Sequence, residues 1–156
     1  MLETTFLRRS FRDDADTMLR LATLVFVVAL FVHGSDHVRR GIDASPMPVM
    51  VLGTVQTVMA VVTVALVIAQ SRWAPIVAVA VGFQSAIGFV IVHVLPSWFG
   101  PFSDSLVHAP PDAHVLGFSW FAAIFEIVAD VLLGIAGMGV LAARREARVF
   151  SSNVER

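Results

Sequence analysis

The chain of 156 residues has no cysteine, no lysine and no tyrosine. Without thiols there is no disulfide, no thiolate nucleophile and no cysteine-ligated zinc. Without lysine or tyrosine there is no Schiff base and no phenol chemistry, and all 11 basic residues are arginines. Charge is sparse as well, at 15% of residues with a net of −1, so no basic block large enough to hold nucleic acid is present. Phosphate loops and nucleophile elbows are missing too. His33 and His37 have the spacing of a zinc-protease pair, but Gly34 stands where that motif needs its glutamate. No enzyme of a familiar class is supported, and a non-enzymatic role is favoured.

What the chain does have is apolar residues, at 57%. That is too much for an ordinary soluble domain and marks an integral membrane protein. The pattern predicts an all-α fold, a polytopic bundle of four antiparallel transmembrane helices over about residues 17–38, 47–70, 75–95 and 116–143, each long enough for the ~30 Å hydrocarbon layer. Residues 1–16 read as a cytoplasmic interfacial helix or a disordered tail, and 144–156 as a cytoplasmic tail. The first apolar run lacks a small-x-small cleavage pattern and reads as a retained helix. Residues 96–115 form the longest connection, with Trp98, Phe99 and Phe102 suited to the headgroup layer and a short helix expected near residues 103–107. With both termini cytoplasmic, nine arginines lie inside (8, 9, 12, 20, 72, 144, 145, 148 and 156) against Arg39 and Arg40 outside.

That orientation puts all five histidines on or near the extracytoplasmic side. In the first helix His33, Asp36, His37 and Arg40 recur at i, i+3, i+4 and i+7, so they share one face. Two imidazoles one turn apart beside a carboxylate can point at one divalent ion. The plainer reading is a polar helix end with Asp36 paired to Arg40. In the third helix His93 continues the small stripe Gly82, Ala86, Phe89. The second carries Gly53, Gln56, Thr57 and Ala60, and the fourth Ser119, Ala122, Ala123, Glu126, Asp130 and Gly134. Counting from the outer boundary, His33 and His93 lie about 5 to 8 Å deep, and Gln56 and Glu126 roughly 14 to 15 Å. Side chains lean toward their own helix N-terminus, which closes much of that gap.

Glu126 and Asp130 need a reason to be there, since an acid near mid-membrane costs about 2.5 to 3.5 kcal/mol on insertion scales. They either join a site or act as hydrogen-bonding glue between helices. The main reading is a transition-metal site for Zn²⁺, Cu²⁺ or iron, with His33, His37 and His93 as ligands, Asp36 or Glu126 as carboxylate, and the loop residues His108 and His114 as further candidates. A b-type haem held by His33 or His37 opposite His93 is the alternative. So is an accessory subunit without chemistry, in a homo-oligomer or larger membrane complex, with the lipid bilayer as the constant partner. Proton-coupled transport through Glu126 and Asp130 is a further option.

The stretch His33-Gly34-Ser35-Asp36-His37-Val38-Arg39-Arg40-Gly41, with His93-Val94-Leu95-Pro96-Ser97-Trp98 and Phe102-Ser103-Asp104-Ser105, resembles small uncharacterised membrane proteins of actinobacterial type. The resemblance covers these short segments and implies no activity or ligand.

Overall fold

The computed structural model describes the backbone of residues 2–154, and side chains from Asp13 to Val149 apart from residue 42. Four helices follow one another: α1 (Leu2–Arg40), α2 (Met47–Ile68), α3 (Ala74–Phe89, prolonged by a π turn over Val90–Val94) and α4 (Gly117–Val154). All four are long and apolar enough to cross a membrane. Among the described residues there is no strand.

Each boundary has a local cause. Gly41 ends α1 at φ 96°, a left-handed conformation that glycine adopts without penalty, and its N–H caps the His37 carbonyl at 3.1 Å. Pro48 and Pro75 sit in the first turns of α2 and α3, where a missing N–H costs nothing. α1 and α4 extend beyond the expected spans, because neither 2–16 nor 144–154 contains a glycine or proline to stop a helix. In the long connection the helix expected near residues 103–107 is absent. Single 3₁₀ turns form instead at Gly100–Phe102 and Pro111–Ala113, and Ser103 is extended.

α4 packs along both α1 and α3, whereas α2 leans chiefly on α3 and leaves most of its surface open. Glycines set the α3–α4 approach. A Cβ on Gly82 would lie 2.6 Å from the Asp130 carbonyl and 2.7 Å from the Gly134 nitrogen, so the two backbones touch there. Exposed Leu24, Phe31, Val55, Val62, Ile87, Phe121 and Ile135 give the outer surface the apolar character of a lipid-facing wall.

The interior is divided along the bundle axis. Leu19, Phe26, Ala78, Val81, Leu133 and Val140 make a dry core toward the end where α2 meets α3. At the opposite end, where α1 finishes and α4 begins, the buried residues turn polar: His33, Asp36, Arg40, Ser45, His93, Asp104 and Ser119. Glu126 and Asp130 lie between the two regions, both 0% exposed.

Candidate metal centre

Three imidazoles converge at the polar end. His33 and His37 stand one turn apart on α1, and His93 reaches them from α3. One ligand nitrogen from each lies within 4.8 Å of the others. His33 Nε2 and His37 Nε2 are 3.0 Å apart. The His33 ring meets the rings of His37, His93 and Phe89 edge-on, each at 4.8 Å between centroids. The π turn helps bring His93 there: the Leu95 N–H bonds back to the Val90 carbonyl, five residues earlier, which widens the last turn of α3.

A loop segment closes over this cluster. The last carbonyls of α3 lack helical partners, and the loop supplies them: the Asp104 N–H donates to the Val92 carbonyl at 3.0 Å and the Leu106 N–H to the His93 carbonyl at 2.9 Å. The Asp104 carbonyl then lies 3.1 Å from His93 Nδ1. A carbonyl can only accept, so Nδ1 carries the proton and Nε2 keeps its lone pair.

The Asp104 carboxylate does similar work for His37. It accepts from Arg40 Nη1 at 3.0 Å, from Arg40 Nη2 and from the Ser45 hydroxyl at 2.9 Å. The Ser45 hydroxyl at 3.0 Å and Arg40 Nη2 at 3.2 Å both contact His37 Nδ1, which holds the ring with Nε2 turned toward His33. Burial alone would push the Asp104 carboxyl up; the hydrogen bonds and charge of Arg40 outweigh it and, with His93 and Ser45, hold it below the usual carboxylate range.

Asp36 is engaged elsewhere. Its Oδ1 accepts from Arg39 Nε and Nη2 at 3.0 and 2.8 Å and from the Ser119 hydroxyl at 3.1 Å, while Oδ2 faces Arg40 Nε at 3.2 Å. Arg39 Nη2 reaches on to Ser119 and to the His114 carbonyl, tying the start of α4 to the end of α1. The pairing of Asp36 with Arg40 and the convergence of the histidines therefore coexist.

The remaining site candidates are spread out. Glu126 and Asp130 are fully buried on α4 with no hydrogen-bond partner for any carboxyl oxygen among the described residues, and neither belongs to the imidazole group. Gln56 bonds to Ser85 on α3. His108 and His114 are exposed loop residues with positive φ. Sequence reasoning missed Asp104 and Ser45, both polar residues in connecting segments where helical periodicity says nothing about direction.

The cluster offers nitrogen donors without sulfur, a set that suits Zn²⁺, Cu²⁺ or Fe²⁺. Nitrogens bound to one tetrahedral ion at ~2.0 Å stand about 3.3 Å apart. The His33–His37 separation of 3.0 Å is already close to that. Two of the three rings also have the supporting contact at Nδ1 that metal-binding imidazoles use to fix tautomer and orientation. Comparison with protein families, curated proteins and solved structures returns no match for this chain, so its function is argued from this geometry.

Proposed function

We propose that this membrane protein binds a transition-metal ion through His33, His37 and His93, near the extracytoplasmic face. The observation that carries the reading is the convergence of three imidazoles from two helices, with ligand nitrogens within 4.8 Å of one another. Sidedness rests on the arginines: nine of the 11 fall at the end remote from the histidines or on the adjoining termini, as the positive-inside rule requires of the cytoplasmic side. Three protein ligands leave a fourth position for water or another small ligand. The buried 103–106 segment covers the site on the His93 side, while the His37 side chain remains part-exposed.

Haem receives less support. A macrocycle needs a flat slot between two opposed nitrogens, and here His33 lies edge-on against His37 and His93, with Phe89 against its remaining side. Association with a further subunit is compatible with a metal site. Gly53 and Thr57 on α2 are exposed, and a Cβ on Gly53 would meet nothing within 4 Å.

The test is elemental analysis of protein purified from membranes, beside His33→Ala and His93→Ala. One equivalent of zinc, copper or iron per chain, lost in both variants, is the expected result. Metal-free wild-type protein that also takes up none of these ions on addition would overturn the reading.

A further inference from the structure

The proposed metal site has a gap in its support, and the same interface contains a group able to fill it. His37 Nδ1 is held by Ser45 and His93 Nδ1 by the Asp104 carbonyl. His33 differs: its Nδ1 is buried and has no hydrogen-bond partner among the described residues. In the 3.0 Å contact between His33 Nε2 and His37 Nε2 one ring donates and the other accepts. An ion bound at His33 Nε2 takes that nitrogen's lone pair and obliges the neutral ring to carry its proton on Nδ1. A buried N–H donor then stands where no acceptor is in place among the described residues, and an unmet donor costs about 1–3 kcal/mol.

Glu126 is the complementary group. Both of its oxygens are buried without a hydrogen-bond partner among the described residues, and the residue is 0% exposed. Its place relative to His33 follows from the register of α1 against α4, pinned where Ser119 Oγ meets Asp36 Oδ1 at 3.1 Å. Glu126 lies seven residues, two turns, beyond Ser119 on the same stripe of α4, and seven residues back from Asp36 on antiparallel α1 is Ala29. Glu126 is therefore level with Ala29, four residues inward of His33, an axial offset of about 6 Å. Side-chain direction narrows it further. α4 begins at the polar end, so Glu126 leans outward, and α1 ends there, so His33 leans inward.

We infer that Glu126 is a positioning residue for the metal site, accepting a hydrogen bond from His33 Nδ1–H when an ion occupies Nε2. This rests on the metal reading above and assigns Glu126 a place behind the ligand instead of on the ion. It also accounts for a buried acid that has no hydrogen-bond partner among the described residues while the site is empty: a bound ion fixes a proton on His33 Nδ1 for it to accept. Asp130 lies a further turn inward, beyond the level of the histidines.

The test uses the full chain in detergent, with Zn²⁺ titrated against a chromophoric chelator, for wild type, Glu126→Gln, Glu126→Leu and Asp130→Asn. Loss of such a supporting contact typically weakens metal binding about 10- to 100-fold, the effect expected for Glu126→Leu. Glu126→Gln keeps an acceptor oxygen and should lose less, and Asp130→Asn should bind as wild type. The decisive signature is the His33 Nδ1–H resonance in ¹⁵N-histidine spectra of the zinc-loaded protein. It should move upfield in Glu126→Gln while the His93 resonance stays in place, a response that a purely structural role for Glu126 would not produce. If Glu126→Leu does not fold, the Glu126→Gln spectrum decides alone. Unchanged zinc affinity in the Glu126 variants, or an unmoved His33 resonance, overturns this role and leaves the metal site standing. Where wild type takes Cu²⁺ or Fe²⁺ in place of Zn²⁺, the same variants are titrated with that ion; wild type that binds none of the three overturns both.

Discussion

Removing the Asp104 carboxylate should be among the most damaging single changes outside the helices. The Arg40 side chain is 1% exposed and that of Asp104 6%, so both charges are out of water. Asp104→Ala deletes the acceptor for Arg40 Nη1 and Nη2 and leaves Arg40 with Asp36 as its charged partner, through Nε at 3.2 Å. Breaking a buried pair by removing one partner costs about 3–5 kcal/mol, and the surviving Asp36 contact places this case near the lower figure. That is a large share of the roughly 5–15 kcal/mol that typically holds a domain together. Replacing both partners, as Arg40→Met with Asp104→Leu, removes the stranded charge and should recover most of the loss. The assay is a double-mutant cycle on metal-free protein in mixed micelles, unfolded with SDS and followed by circular dichroism. A cost below about 1 kcal/mol for Asp104→Ala is what exposed ion pairs give. It would show that the pair is solvated and that the loop is not clasped over the histidines.

Three further outcomes follow from the same structure. Gly82→Ala should destabilise the bundle by about 1–3 kcal/mol, because its Cβ meets backbone atoms of α4 that cannot step aside, whereas Gly53→Ala should be neutral or stabilise by up to about 1 kcal/mol; paired thermal melts compare them. The Asp104 carboxyl is held low in the fold, so its contribution is fully present above the ordinary aspartate value of about 3.9 and is lost as pH falls through its lower native value. An acid titration of stability should therefore lose part of its low-pH slope in Asp104→Asn. Zinc at a hundredfold excess over its dissociation constant should stabilise the wild type by about 2.7 kcal/mol, an effect reversed by chelator and missing from His93→Ala.

The bundle was legible because its signals are periodic. Apolar runs of membrane-crossing length gave the four helices, and Gly41, Pro48 and Pro75 marked three of their ends. Helical spacing also put His33 with His37, and His93 with Gly82 and Phe89, so the rise per residue was enough to bring two helices' histidines to one depth. Asp104 could not be found that way. It reaches the histidines because the loop doubles back onto the carbonyls freed by the π turn, and neither the turn nor the return path leaves a periodic trace. Asp36 shows a second limit. Spacing places it on the histidine face, but two arginines and Ser119 compete for its oxygens, and that outcome depends on where α4 starts. The helical ends beyond the membrane spans were hard to read for the opposite reason: polar residues without a breaker continue a helix as readily as they form a tail.

The central claim is that three imidazole nitrogens, one each from His33, His37 and His93, bind a single ion. X-ray absorption at the metal edge of the zinc- or copper-loaded protein addresses it directly. The expected spectrum has about three imidazole nitrogens near 2.0 Å, with the multiple scattering of their rings and no sulfur. The imidazole count should fall by one in each single histidine variant that still binds. A shell of oxygens alone, or a sulfur neighbour from methionine, would contradict it.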